Sequence, residues 1–425
     1  MSGYRDKPGV GYGLFNFLTA PLVVVPLIWL VALAVYFTLV TSGADYAYFN
    51  RLVSIEGSVD DANWASFAWL TASAFAFVVG VMVIDQTATV KAISSNLKFN
   101  GPTSAVRVVT VAFSFTAVIA FLWVGGAIIQ FGGLGSLIAL AANENNQARD
   151  VIVSASFPGG RLVSSGFIGI AVYSAAIIAS GRELMARNDL FRVAAILVSS
   201  LLYLGVIPIL VSGRVNFFVA VIGAFVASTY SSGKSIPFKY LFVAVILLSL
   251  VWTAKQYFTL SQVMEEASAS EQGVEGLLFY VYNDVLNALN TLGNPSEMYT
   301  WGWYSIRFIF YFTFTDKQFL TSIYEARLDV GKYVTAGEVP MLAAPIVDFG
   351  YAGFFILVVF GAWSQYWYRM ARCSLQGAAI YGMTVACLLL SVHANFLTSQ
   401  EVAYSILLVA LMCRASQTRA VKIKG

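Results

Sequence analysis

His393 is the single histidine of this 425-residue chain. It is also the side chain whose unperturbed pKa lies nearest neutrality, so it can serve as a general base. Glu338, Asp348 and Glu401 compete for the same role. Arg214 stands in VSGRVNFF, where Ser212 and Gly213 can cap the start of a helix. Backbone N–H groups, the positive end of a helix dipole and a guanidinium then meet at one point, an arrangement that suits an anion such as a diphosphate. Arg149, Arg161, Arg307 and Arg327 supply four more guanidinium groups. Each of these can equally snorkel to lipid headgroups or sit in a surface ion pair. Tyr282, Trp301, Trp303 and Tyr324 fall in the same long segment as Arg307 and Arg327. Their rings can stack on sugar faces, and they can equally form an aromatic belt at a membrane interface.

Metal chemistry finds little purchase in this pattern. A lone histidine excludes a histidine-rich site, and no CxxC or HExxH spacing occurs. Outer segments carry no DxD pair, so metal-assisted departure of a diphosphate is not expected, and no cofactor is implied. Cys373, Cys387 and Cys413 fall in an inner loop, mid-span and at an inner helix end, where disulfides do not form. DFG at Asp348–Gly350 lies inside an apolar run without the companion motifs of a kinase.

The elements that must position these groups are membrane helices. Hydrophobic residues make up 59% of the chain and charged residues 11%, about half the charged share of a soluble domain. The apolar residues lie in long blocks, which predict an all-α polytopic membrane protein of about ten transmembrane helices. The expected spans run near Leu22 to Val40, Trp64 to Ile84, Val108 to Gln130, Val163 to Ser180, Val193 to Val211, Val215 to Tyr230, Tyr240 to Ala254, Met341 to Trp363, Gly377 to Ala394 and Leu397 to Cys413. The first is too long for a signal-peptide core and is expected to stay as an anchor.

An even number of spans places both termini on one side. Lys91, Lys98, Arg182, Arg187, Arg192, Lys234, Lys239, Arg369, Arg372, Arg414 and Lys422 all fall in segments on that side, which identifies it as the cytoplasm. The net charge of +3 is too balanced for a nucleic-acid binder. The whole chain, 1–425, reads as one integral membrane domain with two sizeable outer segments, 131–162 and 255–340. The longer one lies between spans seven and eight. It carries an amphipathic piece over Leu277 to Leu292 and an aromatic one over Trp301 to Phe314, the latter expected as a helix in the outer interface or as part of an extra membrane hairpin. Few ionisable residues fall mid-span, which weighs against an ion-coupled transporter.

The order of FGGLGSLIALAANENNQAR after the third span, SGR at the turn between the fifth and sixth, one long outer loop, and PMLAAPIVDFGYAGFFILVVFG on re-entry resembles the oligosaccharide repeat unit polymerases, the Wzy-type O-antigen polymerases. The likeness covers roughly Phe131 to Gly361. It implies a GT-C-like glycosyltransferase of the bacterial inner membrane that joins undecaprenyl-diphosphate-linked repeat units in the periplasmic leaflet, in lipopolysaccharide or other polysaccharide biosynthesis. The resemblance further implies donor and acceptor glycans carried on that lipid, and a chain-length regulator as a partner. Arg214 matches the family arginine at the fifth outer turn and Arg149 the one after the GGL segment. An O-antigen ligase shares the layout and donor but transfers to the lipid A core. A polysaccharide transporter is the alternative from a different class, and would need a polar central cavity.

Overall fold

The computed structural model describes residues 10–42, 47–56, 62–86, 102–136, 139, 159–181, 185–211, 214–234, 269–293, 300–313, 334 and 338–421. Every regular element among them is helical. In chain order the helices are α1 (Val10–Leu18), α2 (Pro21–Ser42), α3 (Ala47–Glu56), α4 (Trp64–Gln86), α5 (Pro102–Gln130), α6 (Gly160–Ser164), α7 (Gly166–Gly181), α8 (Arg187–Val211), α9 (Arg214–Ser232), α10 (Ala269–Gly293), α11 (Arg307–Phe312), α12 (Ala344–Phe349), α13 (Gly353–Ala371), α14 (Leu375–Leu389) and α15 (Gln400–Val421).

Among the described residues, seven stretches are long and apolar enough to cross a membrane: Pro21–Ser42, Trp64–Asp85, Thr103–Gln130, Gly160–Gly181, Arg187–Val206, Val215–Ser232 and Ala344–Ala371. Their outward faces hold large apolar side chains in the open, such as Leu202 at 62% exposure and Phe121 at 76%. A water-soluble chain does not leave such faces uncovered, whereas lipid solvates them. The architecture is that of a polytopic helical membrane protein. The expected span Tyr240 to Ala254 lies outside the described residues. The expected last two spans correspond to α14, an apolar helix of only 15 residues, and to α15.

The bundle is built around α7 and α14, whose residues are almost all buried. α7 packs against α8, α9 and α15, while α14 packs against α9 and α13. α13 lies along α4 at very close range, because glycines meet at the crossing. A Cβ placed on Gly361 would stand 2.0 Å from the Phe77 carbonyl oxygen, and one on Gly80 would stand 1.9 Å from that of Val358. Lipid gives apolar helices no reason to prefer each other over acyl chains, so backbone contact through small residues is what holds such a pair.

Two expectations for the long outer segment change. The aromatic piece is not a continuous helix: the chain turns through 301–306 and forms only the six-residue α11. Trp301 (φ 52°) and Gly302 (φ 99°) both take left-handed backbone, which no α-helix can continue through. Six residues are also too few to cross a bilayer, so this piece does not make a membrane hairpin. The other amphipathic piece becomes α10, which packs against α2, α3 and α4.

The glycine crossing makes a direct prediction. Gly361→Ala should destabilise the protein by about 1–3 kcal/mol through overpacking. Gly125→Ala, where a Cβ meets nothing within 4 Å, should be neutral or slightly stabilising. Thermal melting of the two variants in detergent checks the contrast.

Candidate functional site

Residues from the C-terminal halves of α5 and α8, from the starts of α6, α9 and α15, and from the connection after α14 meet at one end of the bundle. A cavity of about 250 Å³ opens there. It is lined by Trp123 of α5, Arg161, Ser164 and Ser165 at α6, Tyr203 and Leu204 of α8, and Val215 and Asn216 of α9. Trp303 and Tyr304 enter from the turn leading into α11 and Arg307 from its first residue, Glu338 and Val339 from the approach to α12, His393 and Asn395 from the connection between α14 and α15, and Glu401 from the start of α15. The volume falls just under the roughly 300–1,000 Å³ of pockets that enclose a drug-sized molecule.

Arg161 is set by the two glycines before it. Gly159 takes φ 78° and turns the chain into α6, and Gly160 packs its bare Cα against the Trp123 side chain, where a Cβ would come within 2.5 Å. The Arg161 guanidinium then reaches Glu401 at 3.1 Å, and Gln400 Nε2 donates to the same carboxylate oxygen at 3.1 Å. Arg307 stands across the cavity. Its guanidinium lies 5.0 Å from the Trp303 ring centroid, 5.8 Å from that of Tyr311, and 3.6 Å from Glu338. Two arginines thus face one cavity, each with a glutamate beside it. Glu338 is half exposed, so solvent partly screens its pair with Arg307.

Asp348 explains how the turn carrying Trp303 and Arg307 keeps its shape. It is completely buried at the end of α12 and accepts from the Thr300 hydroxyl, the Ser305 hydroxyl, Ser305 N–H at 2.6 Å and Tyr304 N–H at 3.1 Å. Asn395 closes the arrangement from the other side, its Nδ2 donating to the carbonyls of Tyr304 at 3.1 Å and Ser305 at 3.3 Å and to the Thr398 hydroxyl at 2.9 Å. Asp348 does not line the cavity. With its oxygens taken up by four donors, it serves as the organiser of a turn.

His393 lines the cavity, and its Nδ1 lies 2.8 Å from Oδ2 of Asp284. Met341 N–H donates to the Ser391 carbonyl at 2.9 Å, and Trp29 Nε1 donates to the Ser391 hydroxyl at 3.1 Å, so the histidine's turn is anchored on both sides. Asp284 comes from α10 and is almost fully buried, as are Asn283, Asn287, Asn290 and Thr291 on the same helix.

The structure therefore brings Arg161, Arg307, Glu338, His393, Glu401 and Trp303 into one cavity from separate stretches of chain. Arg214 is the first residue of α9, beside the cavity-lining Val215 and Asn216; its side chain lies outside what is described. Arg149, Arg327 and Tyr324 also lie outside the described residues. Tyr282 is placed elsewhere, stacked on Tyr36 at 5.4 Å, and Trp301 is 65% exposed away from the lining. No protein-family model, curated protein or solved structure matches this chain.

Asp284 and Asn395 escape a reading of the sequence. The one available signal is the spacing of Asn283, Asp284, Asn287, Asn290 and Thr291, three and four residues apart, a polar stripe in an otherwise apolar protein. Among the described residues, no group of three His, Cys, Asp or Glu side chains is placed to hold a metal ion.

The roles of the carboxylates are separable. Asp348→Ala strands buried donors and should cost about 3–5 kcal/mol, with the turn at 300–306 becoming open to protease. Glu338→Gln, on an exposed side chain, should melt as wild type. Equal melting of the two variants would contradict the turn-organising role.

Proposed function

We propose that this protein is a membrane glycosyltransferase that polymerises undecaprenyl-diphosphate-linked oligosaccharide repeat units at the periplasmic face of the bacterial inner membrane, as a Wzy-type polymerase. The observation that carries this reading is the meeting of Arg161 and Arg307 with His393 in a single cavity at one end of the bundle. These groups fit the three tasks of the reaction. A glycosyl diphosphate is already activated, so the protein binds the leaving charge, aligns the acceptor hydroxyl and takes one proton.

In the proposed step the acceptor hydroxyl oxygen forms a bond to the anomeric carbon of the donor sugar. The bond from that carbon to the diphosphate oxygen breaks, and its electron pair leaves with the lipid diphosphate. Arg161 and Arg307, with Arg214 at the start of α9, hold that charge by bidentate contacts a lysine cannot copy. The hydroxyl proton passes to His393. Tyr304, partly exposed in the cavity lining, contacts the sugar, while the nearly buried Trp303 ring backs the Arg307 guanidinium.

The proposed topology counts α14, α15 and the segment around 240–254 as three further crossings beside the seven apolar stretches, giving ten in a GT-C-like arrangement. Arg187, Arg192, Arg369 and Arg372 belong to the ends of helices opposite the cavity, which supports a cytoplasmic location for that end and for both termini. A ligase would use the same donor; the acceptor distinguishes them.

The test is incubation of the purified protein with lipid-linked repeat units. A ladder of products supports polymerisation, a single transfer to lipid A core supports the ligase, and no transfer to either acceptor overturns the reading. Arg161→Ala and Arg307→Ala should each raise the donor KM or lower turnover by about 10- to 100-fold, as expected for one charge-assisted contact of roughly 1.5–3 kcal/mol. Activity should persist in excess EDTA, since the arginines take the role of a metal. Loss in chelator with recovery on adding magnesium would refute that part.

A further inference from the structure

Asp284 is a carboxylate placed where a carboxylate is expensive. Its side chain is 5% exposed, it sits on a helix packed against α2, α3 and α4, and Oδ1 is buried with no hydrogen-bond partner. Oδ2 lies 2.8 Å from Nδ1 of His393, a residue 109 positions further along the chain. A buried carboxylate with one oxygen unsatisfied is strongly disfavoured unless a positive charge stands beside it. The histidine is the group positioned to provide that charge, and it gains it by taking up a proton.

We propose that Asp284 is a positioning residue for His393, setting its tautomer and raising its basicity so that the imidazole can act as the proton acceptor in the cavity. The role rests on the polymerase reading only for the identity of the reaction served. An ionised Asp284 accepts from Nδ1–H, which leaves Nε2 as the basic nitrogen. The imidazole plane is held as well, with the Tyr280 ring edge-on at 6.2 Å and the Phe396 ring tilted at 5.9 Å. His393 remains 33% exposed and lines the cavity, so its proton exchanges with a substrate rather than with the core. Other charged or titratable groups lining that cavity are Arg161, Arg307, Glu338, Glu401, Tyr203 and Tyr304. The arginines lower the proton affinity of the imidazole and the glutamates raise it. Asp284 differs from all of them in bonding the ring directly.

Because the chain has one histidine, its protonation can be read without any activity. Diethylpyrocarbonate modifies neutral imidazole, so the rate at which the His393 peptide is carbethoxylated, followed by mass across pH, gives the midpoint. The sign follows from charge: with the carboxylate present the proton is held to higher pH, and without it the proton leaves earlier. Asp284→Asn in the full-length protein should therefore move the midpoint down by about one unit or more. Asp284→Glu, which keeps the charge, should titrate closer to wild type and covers the case in which the asparagine variant fails to fold. An unshifted midpoint in Asp284→Asn, or an equal shift in Glu338→Gln, would overturn the proposal.

In the polymerisation assay, Asp284→Asn should lower kcat by about 100-fold with the donor KM unchanged, and move the ascending limb of the pH profile to lower pH. Wild-type kcat in that variant would overturn the proposal even if the titration shifts. A wild-type protein that transfers no sugar, together with a midpoint shifted in Asp284→Asn, would count against the polymerase reading and in favour of the pair.

Discussion

A charge inside a bundle of apolar helices must be answered by donors or by an opposite charge, and Asp348 is where this constraint is met most completely. Its carboxylate gathers Thr300, Tyr304 and Ser305, and Asn395 holds the carbonyl side of the same turn. Three remote stretches are joined by these contacts: the end of α12, the turn before α11, and the connection between α14 and α15. Trp303 and Arg307 reach the cavity from the second, and His393 from the third. The buried carboxylate and Asn395 together hold the turn against the bundle with Trp301 and Gly302 in left-handed backbone.

The frame around this node is set by different physics. Glycines at the crossing of α4 with α13 allow backbone contact, and α7 and α14 fill the centre with residues that are almost all buried. Neither feature contributes a charge. Together they hold the helix ends in register, so that Arg161 at the start of α6 and Glu401 at the start of α15 meet at 3.1 Å. Close helix packing thus frames one side of the cavity, and one buried carboxylate holds the turn on the other.

Much of this was legible in the sequence. Apolar blocks are long enough to mark membrane helices, and rarity alone makes His393 and the outer arginines conspicuous in so apolar a chain. The remainder depends on contacts between distant residues. Asp284 lies in a stripe whose spacing is the same whether the helix faces water or protein, so its pairing with His393 could not be read from pattern. Asp348 looked like a competing base because a carboxylate near a membrane face suggests reactivity; its four donors, spread over Thr300 to Ser305, show a turn organiser instead. The piece from Trp301 onward has the composition of an interfacial helix, yet two left-handed residues at its start decide otherwise. Trp303 joins the cavity while Tyr282 packs against Tyr36, a distinction set by which helix face meets a neighbour.

The central claim is that the cavity between Arg161 and Arg307 receives the diphosphate of a lipid-linked glycan, with His393 beside the bond that changes. The most direct measurement is a cryo-EM structure of the protein in lipid nanodiscs with undecaprenyl diphosphate bound. The account predicts the diphosphate between the two guanidinium groups, with Glu338 displaced from Arg307 and the imidazole of His393 facing the terminal phosphate. A diphosphate bound elsewhere on the protein, with both arginine–glutamate pairs intact, would contradict it.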